Sequence, residues 1–160
     1  MYNNFRQNGS GHQSSQPAMK PNLAESLPDD YVEVAEKAIV ALQTSERFHI
    51  TTSKLRSLFA MFSELYNQVS LSDQQILNRD QINTLKTARV RIYYEIGRDD
   101  HYSMGNLDSC TVGRFVKQTK LIEYLSDIGS STEKLIQFYH YMEALVAFHR
   151  FYFGEIKDKR

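Results

Sequence analysis

The sequence predicts an all-α fold, a compact bundle of about five helices behind a disordered N-terminal tail. Three observations carry this. Apolar residues recur at intervals of three and four through most of the chain, and strict apolar/polar alternation is sustained nowhere. All three prolines, Pro17, Pro21 and Pro28, fall in the first 28 residues, so nothing downstream interrupts a long helix. That same stretch is filled mostly by Asn, Gln, Ser, Gly and Pro, which bury too little apolar surface to offset the entropy of ordering. Residues 1 to about 28 read as a flexible tail, and 29–160 as a single helical domain. Hydrophobic residues make up 41% of the chain, enough to give a domain of this size a core.

Each helix has its own signals. Asp29 or Asp30 caps a first helix running to about Thr44, with Val32, Ala35, Ile39 and Leu42 on one side. Thr51 or Thr52 caps a second, in which Leu55, Leu58, Phe59, Phe62, Leu65, Tyr66 and Val69 share a face. A third runs from about Ile76 or Asp80 to Gly97 on the stripe Ile82, Leu85, Ile92 and Ile96. Residues 99–111 are a polar loop. A fourth helix spans about Val112 to Ile128 and stops at Gly129. Ser130 and Glu133 have capping-box spacing before a fifth, which ends near Phe153 at Gly154. Short connections between five helices imply an antiparallel bundle.

Several function classes are disfavoured at once. Nineteen basic residues balance nineteen acidic ones, which excludes a wholly basic nucleic-acid wrapper and an acidic solvating tail. No apolar run approaches the ~20 residues that span a bilayer, so no membrane partner is expected. The opening residues lack the charged-then-apolar order of a secretory leader. Cys110, the single cysteine, fits a reducing, cytoplasmic setting. No metal or other cofactor is expected. The histidines His12, His49, His101, His140 and His149 are scattered, and His140 with Glu143 is an isolated pair. There is no GxGxxG or P-loop. An RNase of the HEPN type needs Arg and His in the spacing RxxxxH, and no arginine here has a histidine five positions on.

What remains is a set of basic positions on helices. Between Arg47 and Arg98 the chain has eight basic residues and four acidic ones, a polarised charge that suggests one anion-facing side. The segment Ile50-Thr-Thr-Ser-Lys-Leu-Arg56 opens the second helix. There, free N–H groups, the hydroxyls of Thr51, Thr52 and Ser53, and the charges of Lys54 and Arg56 can hold a phosphate; plain N-capping with two solvated cations is the alternative. Lys54 and Arg56 are two residues apart and point to different sides. Arg91 and Arg98 share a face away from the apolar stripe, with Tyr94 near them and Glu95 placed to pair with Arg91. Arg89 falls within the stripe, where it either makes a cross-helix bond or reaches a ligand at the bundle edge. Arg114, Lys117 and Lys120 climb the fourth helix in steps of three.

The fifth helix has an apolar sector covering about half its circumference. It is either the central helix of the bundle or a docking face for a partner. His149 sits mid-sector as a satisfied core histidine, and Arg150 at its margin.

Four stretches carry a family resemblance: ITTSKLRSLF (50–59), LKTARVRIYYEIGR (85–98), FVKQTKLIEYLSDIG (115–129) and YMEALVAFHRFYFG (141–154). In this order and spacing the chain resembles the small Csm subunit of type III-A CRISPR effector complexes. The resemblance implies a non-catalytic, RNA-binding helical bundle in a ribonucleoprotein. Copies of it would stack into a short filament along guide RNA and target RNA, joining the large signature subunit to other Csm-type subunits. The RNA-contacting residues it implies are Thr52, Lys54, Arg56, Arg89, Arg91 and Arg98, followed by Lys117, Lys120 and Arg150. They would touch backbone phosphates, because base pairing with the guide does the reading. The competing reading is a helical protein–protein adaptor with no RNA role, its business end the fifth helix.

Overall fold

The computed structural model describes residues 24–44 and 49–157. They form six α-helices: α1 (Tyr31–Gln43), α2 (Thr52–Ser70), α3 (Arg79–Gly97), α4 (Thr111–Gln118), α5 (Leu121–Asp127) and α6 (Thr132–Phe153). A 3-10 turn at Leu107–Ser109 precedes α4. Among the described residues there is no strand, only the isolated bridges Ile76–Ser131 and Ser103–Asn106. The fold is all-α. The expected tail over residues 1–23 lies outside the described residues. Residues 24–28, assigned to the tail on composition, lie against α5 and α6. Ser26 Oγ donates to Asp127 Oδ2 at 3.0 Å, Gln137 Nε2 donates to the Pro28 carbonyl at 3.3 Å, and Leu27 packs on the core.

Side chains cap α2, α3, α4 and α6, whereas Asp30, the expected cap of α1, stands at the N-cap position without a side-chain bond to the helix. Thr51 Oγ1 accepts from the Lys54 N–H at 3.3 Å at the head of α2. Asn78 and Gln81 form a reciprocal capping box at α3, each bond 2.9 Å. At α6 the cap is Ser131 rather than Ser130; Ser131 accepts from the Lys134 N–H, while the Ser130 carbonyl accepts from Leu77 N–H. Gly129 and Gly154 take positive φ, as expected of residues that turn the chain out of a helix.

The core is organised around α6. Leu135, Phe138, Tyr141, Met142 and Leu145 are all buried, and α1, α2 and α5 pack on them. Counted as five passes, with α4 and α5 running on in one direction, the helices alternate in direction. Phe59 of α2 meets Tyr139, Phe62 meets Phe138 edge-on, and Ile50 just before α2 reaches His149. With an odd number of passes, the first and last lie side by side in the same sense: Pro28 contacts Gln137, and Glu36 accepts from Tyr152 Oη at 2.6 Å. The wide apolar sector of α6 is therefore that of a central helix. On α1, Val32 is 44% exposed and not part of the buried stripe, which runs instead through Ala35, Ala38 and Ile39.

The expected fourth helix is broken in two. Thr119 Oγ1 donates back to the Phe115 carbonyl at 2.8 Å, and the Thr119 carbonyl accepts from the buried Tyr141 Oη at 2.7 Å instead of from a helical N–H. Lys120 then takes a left-handed conformation (φ 49°), unusual for a residue other than glycine, and α5 restarts. Burial pushes the Tyr141 phenol far above its ordinary value, so it stays a donor at all working pH. Tyr141→Phe leaves the Thr119 carbonyl buried without its donor. It should cost about 1–3 kcal/mol in urea unfolding. Gly113, in the first turn of α4, is fixed by space: a Cβ there would lie 2.4 Å from the Leu107 carbonyl oxygen and 2.9 Å from Cys110 Sγ. Gly113→Ala should destabilise by about 1–3 kcal/mol, read in the same assay.

Candidate nucleic-acid interface

Because α2 and α3 run antiparallel, the first turns of α2 lie beside the last turns of α3. Between them is an open groove of about 390 Å³ lined by Ser53, Lys54, Ser57, Arg91, Glu95 and Arg98 over a floor that includes Leu58, Met61 and Val112. It continues toward the start of α3 through a second depression of about 320 Å³ walled by Asp80, Asn83, Thr84 and Thr87; Met61 and Arg91 belong to both. On α3 the lining residues 80, 84, 87, 91, 95 and 98 recur at three and four, a single stripe roughly 27 Å long at 1.5 Å per residue.

Three expected cations, Lys54, Arg91 and Arg98, converge at the head of this groove. Lys54 is 38% exposed, with Nζ 4.0 Å from Asp99 Oδ2. Arg98 Nε lies 3.5 Å from Glu95 Oε2, so Glu95 pairs with Arg98 and not with Arg91 as its spacing suggests. Arg91 is exposed and has no ion pair among the described residues. Tyr94, 64% exposed, stands on the outer face of α3. Behind Lys54, Asp99 is nearly enclosed. Burial pulls its carboxyl upward, but hydrogen bonds from the His101 N–H and Thr111 Oγ1, the Lys54 charge and the Val112 N–H outweigh this. Its pKa lies below the ordinary carboxylate value, and the group stays an anion.

The other expected residues are elsewhere. Thr52 is 8% exposed, and its hydroxyl accepts from the Ile156 N–H at 3.1 Å while its own N–H donates to the Ile156 carbonyl at 2.9 Å. The chain's own C-terminal segment thus occupies the head of α2, which removes Thr52 as a phosphate ligand. Arg56 is exposed but outside the groove, as the two-residue offset from Lys54 implies. Arg89, half-buried, lies 160° around α3 from Arg91 and makes no hydrogen bond or ion pair among the described residues, so the cross-helix bond is not formed. Lys117 pairs with Asp108, Lys120 with Glu25 at 2.6 Å, and Arg150 with Glu155 at 3.9 Å. Lys120 marks the break between helices rather than a step on one, and Arg114 turns inward toward His49. Ser57, Thr84 and Thr87 were not singled out by sequence. The available signal was spacing: Ser57 is three residues from Lys54, and Thr87 and Thr84 are four and seven from Arg91.

At the same end of the bundle, His49 and His149 flank Phe153, at ring separations of 4.3 and 5.1 Å. His149 is 1% exposed; its Nε2 bonds the Ile50 carbonyl at 3.0 Å, but Nδ1 has no partner, so this core histidine is only half satisfied. Burial lowers its pKa against the Ile50 bond, which raises it, and His49 lowers it further. His140 Nδ1 and Glu143 Oε2 are bonded to each other at 2.9 Å. Among the described residues no three His, Cys, Asp or Glu side chains gather as metal ligands, and no helix is long and apolar enough to cross a membrane.

The chain is thus an all-α helical bundle with an open groove between α2 and α3 headed by Lys54, Arg91 and Arg98. A family model described as Csm2 Type III-A matches residues 27–155. The chain is 33% identical over 133 residues to "CRISPR system Cms protein Csm2" of Mycobacterium tuberculosis, covering 83% of this chain and 98% of that protein. It is 31% identical over 135 residues to the protein of the same name from Streptococcus thermophilus, covering 83% and 99%. The chain belongs to the Csm2 family and is a small subunit of a type III-A CRISPR complex, alongside other Csm subunits.

Proposed function

We propose that the chain is a non-catalytic subunit that lies along the guide RNA–target RNA in the cytoplasm and grips its backbone through the α2–α3 groove. The convergence of Lys54, Arg91 and Arg98 on one open concavity carries this reading. Phosphates meet these cations, and the hydroxyls of Ser53, Ser57, Thr84 and Thr87 reach phosphate or sugar oxygens beside them. None of this reads bases, and none needs to where a guide strand pairs with its target. Copies of the chain stacked on one strand, joined to the large signature subunit, add their modest contacts through multivalency. The adaptor reading rests on the wide apolar sector of α6, and the burial of Phe138, Tyr139, Tyr141, Met142 and Leu145 in the bundle weighs against it.

An isolated copy should bind unstructured single-stranded RNA weakly. With three groove cations, log K against log salt should fall with a slope of about −2. Fluorescence anisotropy over a salt series measures it, and a slope near zero would refute the proposal. In the host, the tagged chain should also bring down short RNAs of uniform length with several larger proteins.

A further inference from the structure

We propose that Glu95 is a counter-charge built into the groove that limits its hold on a nucleic-acid backbone; this rests on the groove being the RNA-contacting surface. Glu95 lines the groove between Arg91, four residues earlier, and Arg98, three later. Its side chain is 25% exposed against 58% for the Arg98 it pairs with, so the carboxylate sits deeper than the guanidinium. A carboxylate there repels every phosphate that enters. Two and three turns earlier on the same stripe the wall carries Thr87 and Thr84, and its other carboxylate, Asp80, stands in the first turn of α3, about 16 Å along the helix from Arg91.

The second anion near these cations, Asp99, has separate work, because it accepts from Thr111 Oγ1 at 3.0 Å and the His101 N–H at 3.2 Å and so ties the loop to the start of α4. Glu95 has no such duty: among the described residues its one ion pair is with Arg98, whose guanidinium is 58% exposed, and such a pair contributes little to stability. Its effect therefore falls on the ligand. With no strand bound, Arg98 rests on Glu95, and a phosphate has to take it away. A polyanion whose phosphates do not meet all three cations gains too little to do so. This is the repulsive element that specific recognition uses beside its attractive ones.

The test uses the full chain and a labelled polyuridine strand in anisotropy titrations at low and high salt, comparing the parent with Glu95→Gln and Glu95→Asp. Glu95→Gln keeps the shape and removes the charge. It should bind roughly 3- to 10-fold tighter at low ionic strength, with the gain fading as salt screens it. Glu95→Asp should stay near the parent. A residue that merely steadied Arg98 would give the opposite sign, so unchanged or weaker binding by Glu95→Gln overturns the inference. Lys54→Glu with Arg91→Glu, run alongside, separates the two claims. If the double variant loses binding while Glu95→Gln gains none, only the counter-charge falls. If the double variant loses nothing, the groove reading falls and takes the counter-charge with it.

Discussion

Lys54→Glu combined with Arg91→Glu should abolish most RNA binding while leaving the fold untouched. The two reversals change by four charges the groove that Lys54 and Arg91 both line. At low ionic strength this should cost on the order of 100-fold in affinity, and the salt slope should approach zero. The fold should not notice: Arg91 is exposed and unpaired among the described residues, and Lys54 holds only a 4.0 Å contact with Asp99, whose carboxylate has other donors. The far-ultraviolet circular dichroism should match the parent, and the unfolding midpoint should fall only modestly, through the like charge placed beside Asp99. Arg56→Glu is the internal comparison. It carries a similar change on the same helix outside the groove, and it should weaken binding less than about 3-fold through long-range charge alone. Equal losses for Arg56→Glu and the groove pair would show that RNA senses net charge and not this surface.

The sequence made the helices easier to read than the surface they build. Periodicity placed α1, α2, α3 and α6, with the start of α3 left open between Ile76 and Asp80 and found at Arg79 behind an Asn78 cap, because residues such as Leu55, Leu58, Phe62, Leu65 and Val69 can share a face only on a helix. The break at Thr119–Lys120 was hidden: apolar spacing runs on from Phe115 and Val116 to Leu121, Ile122 and Leu125, and the residue that diverts the Thr119 carbonyl, Tyr141, is 22 positions away. The groove was half legible. Spacing within α3 put Arg91 and Arg98 together, but nothing local says that the start of α2 lies beside them, since that depends on the two helices running antiparallel. Thr52 shows the converse limit. Its position at a helix start suggests an open anion site, but Ile156, 104 residues on, fills that site.

Acidification should weaken the fold through His149. In the native state its Nε2–H donates to the Ile50 carbonyl, Nδ1 is a lone pair with no partner, and His49 and Arg114 line the same small void, so a proton on Nδ1 would add a buried charge beside other cations. Burial, ahead of the His49 charge and against the Ile50 bond, therefore holds its pKa below the ordinary 6.5. Above pH 6.5 the ring is neutral in both folded and unfolded chains and adds no pH dependence. As pH falls below 6.5 the unfolded chain takes up a proton that the folded chain refuses. Stability then drops by up to about 1.4 kcal/mol per pH unit until the depressed native pKa is reached. His49, lowered by burial and then by Arg114, adds in the same direction. Asp99, held low in the native state, contributes stability that is lost only as pH falls below its ordinary 3.8, which leaves the two windows apart. Urea unfolding between about pH 7.5 and pH 5 reads the slope. His149→Gln retains a donor for the Ile50 carbonyl and cannot titrate, so it should be less stable near neutrality yet markedly flatter with pH. A parent whose stability is level across this window, or a Gln variant as steep as the parent, would show that His149 accepts its proton without strain on the fold.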